Sequence, residues 1–149
     1  MKKTICIFAL LLFVFSGFGQ IVDSAVVREV DSLMQLAGQL TEKRAFGQAF
    51  EIMVKAETSA LESSGKLSAL YGNVCFQYGK THLAKGDYQE AEKRLVQAKT
   101  ILEKELGPQH VEYAAVLHQL GTVYYFMGNN YEKAELNNLE ARKIQKKTP

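Results

Sequence analysis

The chain has 149 residues, of which 47% are apolar and 23% are charged, with 18 basic and 16 acidic side chains. That length suits one domain of ordinary size, and the apolar fraction is high enough to build a buried core. The sequence contains two prolines and, beyond residue 19, a single cysteine. Long linkers and an internal disulfide are therefore excluded, and the fold must be stabilised by packing.

The first 19 residues have the layout of a secretory signal peptide. A basic start of two lysines precedes an almost unbroken apolar run, residues 5–18, and small glycines stand directly before Gln20. The run is shorter than the roughly 20 residues that a membrane-spanning helix needs, and Cys6 lies too far forward to be the lipid-modified cysteine of a lipoprotein. We expect cleavage before Gln20, export to the periplasm or medium of a bacterium, and membrane contact only in transit. An uncleaved membrane anchor is the alternative.

Removal of this leader changes the charge balance. Residues 1–19 contain two lysines and no acid, so the remaining chain has 16 basic and 16 acidic side chains. A near-neutral chain without a basic stripe is unsuited to neutralising phosphates, and we expect no nucleic-acid partner.

Three stretches of the remaining chain repeat one apolar pattern, in which two large residues three positions apart are followed by a small one. These small residues are 42 positions apart: Ala37, Gly79 and Gly121. A second set of small residues steps by 42 and 43 positions: Ala49, Ala91 and Ala134. Apolar residues spaced three to four positions apart predict helices. Each repeat is therefore predicted to be a pair of antiparallel helices, at about residues 30–63, 72–106 and 114–147.

Glycine-containing turns separate the predicted helices. Gly86-Asp87 and Gly128-Asn129-Asn130 combine a residue that allows positive φ with side chains that can cap the following helix. Gly107-Pro108 ends the second helix of the middle repeat, because proline cannot continue a helix. The pattern as a whole predicts an all-α fold.

These residues resemble the tetratricopeptide repeat, whose signature is Trp-x-x-Leu-Gly-x-x-Tyr followed by Ala-x-x-x-Phe. The resemblance is closest in residues 102–141, where Tyr124-Tyr125-Phe126-Met127-Gly128 leads into Tyr131-Glu132-Lys133-Ala134-Glu135. The 42-residue period exceeds the usual period of about 34 and is similar to the kinesin-light-chain type of repeat. In bacteria, similar repeats stand ahead of caspase-like (CHAT) peptidase domains. The resemblance implies a right-handed superhelical stack, an α-solenoid of about three units within residues 20–149.

Asn137 and Asn138 depart from the family pattern at positions that are usually apolar or aromatic. We expect Asn138 to face a helix beyond the third pair, where an unpaired buried amide would cost about 1–3 kcal/mol. Either the two asparagines form the polar outer face of a terminal repeat, or the chain is the front part of a longer array. The sequence leaves both interpretations open.

No catalytic or metal-binding pattern stands out in the sequence. His110 with Glu112 lacks the Pro-Cys-x-x-Cys of a zinc deaminase, and His110 with His118 does not form HExxH. His82 takes a core aromatic position, and Cys75 lies on an apolar helical face without an obvious base, so both are expected to be packed and inert. We expect no enzyme, no cofactor and no metal. The peptidase domain of longer relatives is not carried over, because nothing here matches it.

The resemblance also implies a concave surface, lined by the first helix of each pair, where family members bind extended or helical peptides. The polar and aromatic candidates at those positions are Asn73, Phe76, Gln77, Lys80, His118, Gln119, Thr122 and Tyr125. Such side chains suit backbone hydrogen bonds and aromatic anchoring; ordinary solvated or packed helix positions are the alternative. The lysine-and-asparagine clamp of chaperone-binding members is not reproduced.

We therefore expect an exported scaffold for a protein or peptide partner. Two alternatives remain. One is a structural module that assembles into oligomers through the ends of its repeats. The other is the front part of a longer signalling or peptidase protein.

Overall fold

The computed structural model describes residues 23–128 and 130–147, and these residues contain helices and no strand. The leader, with its expected cleavage point before Gln20, lies outside the described residues. The helices are α1 (Ser24–Glu42), α2 (Phe46–Ser64), α3 (Ala69–Lys85), α4 (Tyr88–Leu106), α5 (Val111–Met127) and α6 (Tyr131–Gln145).

Consecutive helices pack as three pairs, α1 with α2, α3 with α4 and α5 with α6, and each pair contacts the next. The predicted all-α solenoid of three helix pairs is confirmed. The first pair begins at Ser24 rather than near residue 30. Asp23 explains this difference, because its carboxylate accepts a hydrogen bond from the Ala25 backbone N–H and so starts α1 there.

The turns between the helices follow a regular spacing. Each contains one residue with positive φ, and these residues recur every 21 positions: Arg44, Gly65, Gly86, Gly107 and Gly128. Glycine adopts this conformation without a steric clash, whereas Arg44, at φ 58°, does so without that freedom. The predicted turns at Gly86, Gly107 and Gly128 are confirmed, and each helix with its turn is half of the 42-residue repeat.

Within a pair, the two helices approach closely at a small residue of the first helix. A Cβ atom added at Gly79 would lie 2.5 Å from Leu95 Cγ, and one added at Gly121 would lie 2.6 Å from Asn138 Nδ2. The absent side chain therefore makes room for a larger one from the second helix. Asn138 packs inside its own pair, and the expectation that it faces a helix beyond the third pair is wrong. Its position explains this, because Asn138 follows Ala134 by the same four residues by which Leu95 follows Ala91.

A network of polar side chains connects the first pair to the second. Glu57 on α2 accepts hydrogen bonds from the Tyr71 hydroxyl at 3.2 Å and from Arg94 Nη1 at 2.8 Å. Gln97 Nε2 donates to the Tyr71 hydroxyl at 3.0 Å, and the Arg94 guanidinium lies 4.3 Å from the ring centroid of Tyr78. Burial raises the pKa of Tyr71 to about 12, so this hydroxyl stays a donor at neutral pH. The network fixes the orientation of α3 and α4 on α2.

Candidate protein-binding surface

Four of the eight predicted surface residues are brought together on α3. Asn73, Phe76, Gln77 and Lys80 line an open depression of about 520 Å³ between α1 and α3. The remaining wall is contributed by α1 and by one residue of α5: Met34, Gln35, Gly38, Gln39, Glu42 and Glu112. We refer to these ten residues as the groove surface.

Contacts among the side chains of the groove surface hold them in place. Lys80 Nζ donates to Gln77 Oε1 at 3.3 Å and lies 5.5 Å from the ring centroid of Phe76. Asn73 Nδ2 donates to Glu112 Oε2 at 3.3 Å, which connects α3 to α5. An ammonium group has three N–H donors and an amide has two, so these bonds use only part of the donor capacity. The groove surface therefore keeps N–H donors that its own contacts do not use.

The other predicted residues lie on α5, away from this depression. His118 Nδ1 is 2.9 Å from Asn138 Oδ1 on α6, and Thr122 donates its hydroxyl to the backbone carbonyl of His118 at 3.1 Å. Tyr125 is 61% exposed and contacts the ring of Tyr131 edge to face. Gln119 is partly exposed. The predicted surface is thus divided in two, because His118, Thr122 and Tyr125 border shallow depressions shared with α6.

Six of the ten residues of the groove surface were missed by the sequence reasoning, and two of them, Gln35 and Glu112, show why. Gln35 is followed after 42 and 84 positions by Gln77 and Gln119, and this step would have identified it as a third member of one row. Glu112 reaches the groove through its bond to Asn73, and no feature of the sequence signals that contact.

His82 and Cys75 are the two titratable side chains that the sequence predicted to be packed. The ring of His82 lies 4.6 Å from that of Phe50 and 6.2 Å from that of Tyr78. Its Nδ1 atom is 3.6 Å from Asp87 Oδ2, beyond direct hydrogen-bond distance, and burial lowers the pKa of His82. Cys75 is free and fully buried, and burial raises the pKa of its thiol to about 11. A thiol that stays protonated at neutral pH is a poor nucleophile, and the predicted packing of His82 and Cys75 is confirmed.

Two further observations concern only the described ranges. Within residues 23–128 and 130–147, no three side chains of the metal-ligating types cluster closely enough to hold an ion. None of the six helices combines the length and apolar character required to cross a bilayer.

The stacked helix pairs define a helical repeat protein with an open groove on one face. A family model of the tetratricopeptide repeat matches residues 67–147, more than half of the chain, and the chain belongs to that family. A fold of this kind is typical of non-catalytic scaffolds that bind other proteins.

Two curated relatives resemble the chain at the sequence level. Protein KINESIN LIGHT CHAIN-RELATED 2 of Arabidopsis thaliana is 32% identical over 91 residues, which cover 61% of this chain and 14% of that protein. A clustered mitochondria protein homolog of Debaryomyces hansenii is 27% identical over 107 residues, covering 71% of this chain and 8% of that protein. The chain thus matches only a small part of each relative.

One solved structure shares the fold. The crystal structure of BtubC (BKLC) from P. vanneervenii superposes with a TM-score of 0.70 at 21% identity, covering 78% of this chain and 46% of the other. Together with the first relative, this match confirms a tetratricopeptide repeat protein of the kinesin-light-chain type, as the 42-residue period predicted.

Proposed function

We propose that this chain is an exported scaffold that binds a protein or peptide partner through the groove surface. Membership of the tetratricopeptide repeat family supports a protein partner in general. The observation that favours this surface is the open depression between α1 and α3, where Phe76 provides an aromatic ring and Gln35, Gln77 and Lys80 provide hydrogen-bonding groups. An aromatic anchor surrounded by polar groups is the usual composition of an energetically dominant interface centre.

The chemistry of these side chains favours an extended segment as the ligand. The Gln35 amide on α1 and the Gln77 amide on α3 line the same depression, and each can donate to and accept from a peptide backbone. Glu42, Glu112 and Lys80 all line the depression, so the surface carries both charge signs and suits a polar segment of mixed charge rather than a polyanion.

Site-specific photo-crosslinking tests this proposal. A photoreactive amino acid at Phe76 should trap a partner in the organism's envelope fraction, whereas the same group at Val96, an exposed residue of α4, should not. The trapped protein is identified by mass spectrometry and its purified form is titrated against the unlabelled scaffold. Phe76→Ala should then weaken binding by about 2 kcal/mol, and Val96→Ala should leave it unchanged. Equal crosslinking at both positions, or equal affinity of both variants, would refute the groove surface as the binding site.

Export is the second part of the proposal, and it is supported by the basic, apolar and small-residue order of residues 1–19. Expression of the full sequence in a bacterial host, followed by intact-mass measurement, should yield a product that begins at Gln20 and is recovered outside the cytoplasm. A product that keeps residues 1–19 and sediments with membranes would replace the signal peptide with an anchor.

The lengths of the relatives favour one alternative. Because the chain covers 14% and 8% of the two curated relatives, it can be the front part of a larger signalling or peptidase protein. Reading the genomic sequence beyond the codon for Pro149 tests this directly. An uninterrupted frame with further repeats or a peptidase domain supports it, and a stop codon at that point refutes it.

A further inference from the structure

The contacts between neighbouring pairs show which residues of one pair receive the first helix of the next pair. Thr41 on α1 shares a hydrogen bond with Thr81 on α3 at 3.1 Å. Between the second and third pairs, the ring of Tyr88 on α4 stacks on that of Phe126 on α5 at 5.7 Å. The outer side of each pair is therefore a receiving surface for the first helix of the following pair.

The third pair presents such a receiving surface with no occupant in the described residues. Tyr125 is the repeat equivalent of Thr41, at a distance of 84 positions, and Tyr131 is the equivalent of Tyr88, at 43 positions. Both rings are about 60% exposed, at 61% and 60%. We define the end face as the receiving residues of the third pair: Thr122, Tyr125, Tyr131 and Arg142.

At the other end of the stack, α1 presents the matching inserting surface. Its outer face carries Glu29, Leu33, Leu36 and Leu40, spaced three to four positions apart and therefore aligned on one side of the helix. Leu36 is the repeat equivalent of Tyr78, which lies against Phe50 of the preceding pair. Tyr78 is 5% exposed, whereas Leu36 is 41% exposed.

We propose that the end face binds the outer face of α1 from a second copy of this chain, so that copies stack head to tail. Charge complementarity favours a second copy over another helix. Where the first two pairs meet, Glu57 of α2 contacts Tyr71 of α3 at 3.2 Å. The repeat equivalents of these two residues are Arg142, which follows Glu57 by 42 and then 43 positions, and Glu29, which precedes Tyr71 by 42. Docking in the geometry of the internal contacts therefore places an exposed carboxylate opposite an exposed guanidinium.

This assembly leaves the groove surface accessible. It also has no closed symmetry, so further copies can add at either end. The groove residues Gln35, Gly38 and Glu42 lie on the side of α1 opposite to Leu36 and Leu40, by the helical period. A contact between two different surfaces of identical copies does not close on itself and extends with concentration. The inference is independent of the proposed peptide binding, so either can fail alone.

Sedimentation of the protein, purified as the expression host processes it from the full sequence, tests the proposal. The average mass of the unmodified protein should rise with concentration beyond that of a dimer. Glu29→Arg and Arg142→Glu should each remain monomeric, because like charges then meet in the contact. An equimolar mixture of the two variants should associate again, since every contact between unlike copies pairs opposite charges. Glu51→Arg, the same charge change on the exposed side of α2, should associate as the unmodified protein does.

Circular dichroism establishes that each variant is folded, so that a loss of association is not a loss of structure. A protein that is monomeric at every concentration overturns the proposal, and this is the result expected if a further repeat of a longer chain covers the end face. Association that survives both single reversals, or a mixture that stays monomeric, also overturns it. Phe76→Ala should leave association unchanged, which separates this test from that of the groove surface.

Discussion

The second and third helix pairs have the same backbone arrangement, but side chains of different polarity pack between their helices. In the second pair, the space left by Gly79 is filled by Leu95, which is fully buried. In the third pair, the space left by Gly121 is filled by the half-buried amide of Asn138, which His118 holds at 2.9 Å. The difference shows that the small residue of the first helix sets the geometry of the pair, while the residue that fills the space can be changed from apolar to polar.

The largest expected effect on stability comes from truncating the two side chains that fill these spaces. Leu95→Ala should lower the free energy of unfolding by about 3 kcal/mol, because it removes buried methyl groups and leaves a cavity. Asn138→Ala should lower it by only about 1 kcal/mol, the net contribution of one hydrogen bond in a partly solvated site. Urea unfolding followed by circular dichroism measures both. Equal losses would show that the two pairs depend on these positions to the same degree.

The polar network between the first and second pairs has the next largest expected effect. Arg94→Met should reduce stability by about 2 kcal/mol, because it leaves the Glu57 carboxylate without its cation. This is below the loss for a fully buried pair, since the Arg94 and Glu57 side chains are 23% and 20% exposed. The matched variant in the third pair is Lys133→Met, which removes an exposed ammonium 5.4 Å from the Tyr124 ring and should cost at most about 1 kcal/mol. Thermal denaturation of both variants checks the order, and a larger loss for Lys133→Met would contradict it.

The next test gives the third pair the leucine that the second pair has at the equivalent position. Asn138→Leu should raise the free energy of unfolding by about 1 kcal/mol, because apolar burial replaces a partly solvated amide next to Gly121. The gain is reduced by the loss of the bond to His118. A decrease in stability would mean that the Asn138–His118 contact, rather than the filling of the space, stabilises this pair.

The smallest effect concerns pH, and it depends on the contact between the first and second pairs. Burial lowers the pKa of His82, so the unfolded chain binds a proton more readily than the folded one. Stability should therefore be full above the unfolded histidine pKa of about 6.5 and should fall as the pH drops toward the lower folded value. Chemical unfolding at several pH values measures this dependence. His82→Phe should weaken it, and a variant with an unchanged pH dependence would assign the effect to other groups.

Much of the fold was predictable from the sequence, because it is encoded by local signals. The glycines at positions 86, 107 and 128 predicted turns and adopt positive φ there. The comparison with the family pattern misled the interpretation of Asn138. A departure from the family pattern suggested an outward role, whereas the four-residue step from Ala134 places the side chain inside the pair. Contacts between helices, such as Glu57 with Arg94, join residues far apart in sequence and leave no periodic trace.

The candidate surface was only half predictable, for a geometric reason. Residues three and four positions apart on α5 lie on one side of that helix, but its orientation depends on the rotation of one pair against the next. Hydrophobic periodicity shows which residues point into a pair and carries no information on that rotation. His118 and Tyr125 were therefore grouped with Phe76, although they border depressions shared with α6.

The even spacing of the left-handed turn residues has a consequence for how the gene can change. Because such a residue falls every 21 positions from Arg44 to Gly128, removing residues 66–107 would join Gly65 directly to Pro108 and keep first and second helices in alternation. Removing a single 21-residue unit would instead bring two helices of the same kind into succession, with their apolar faces mismatched. Duplication or loss within this gene should therefore be tolerated in steps of two units, and recombination has a natural breakpoint at each glycine turn that follows a second helix.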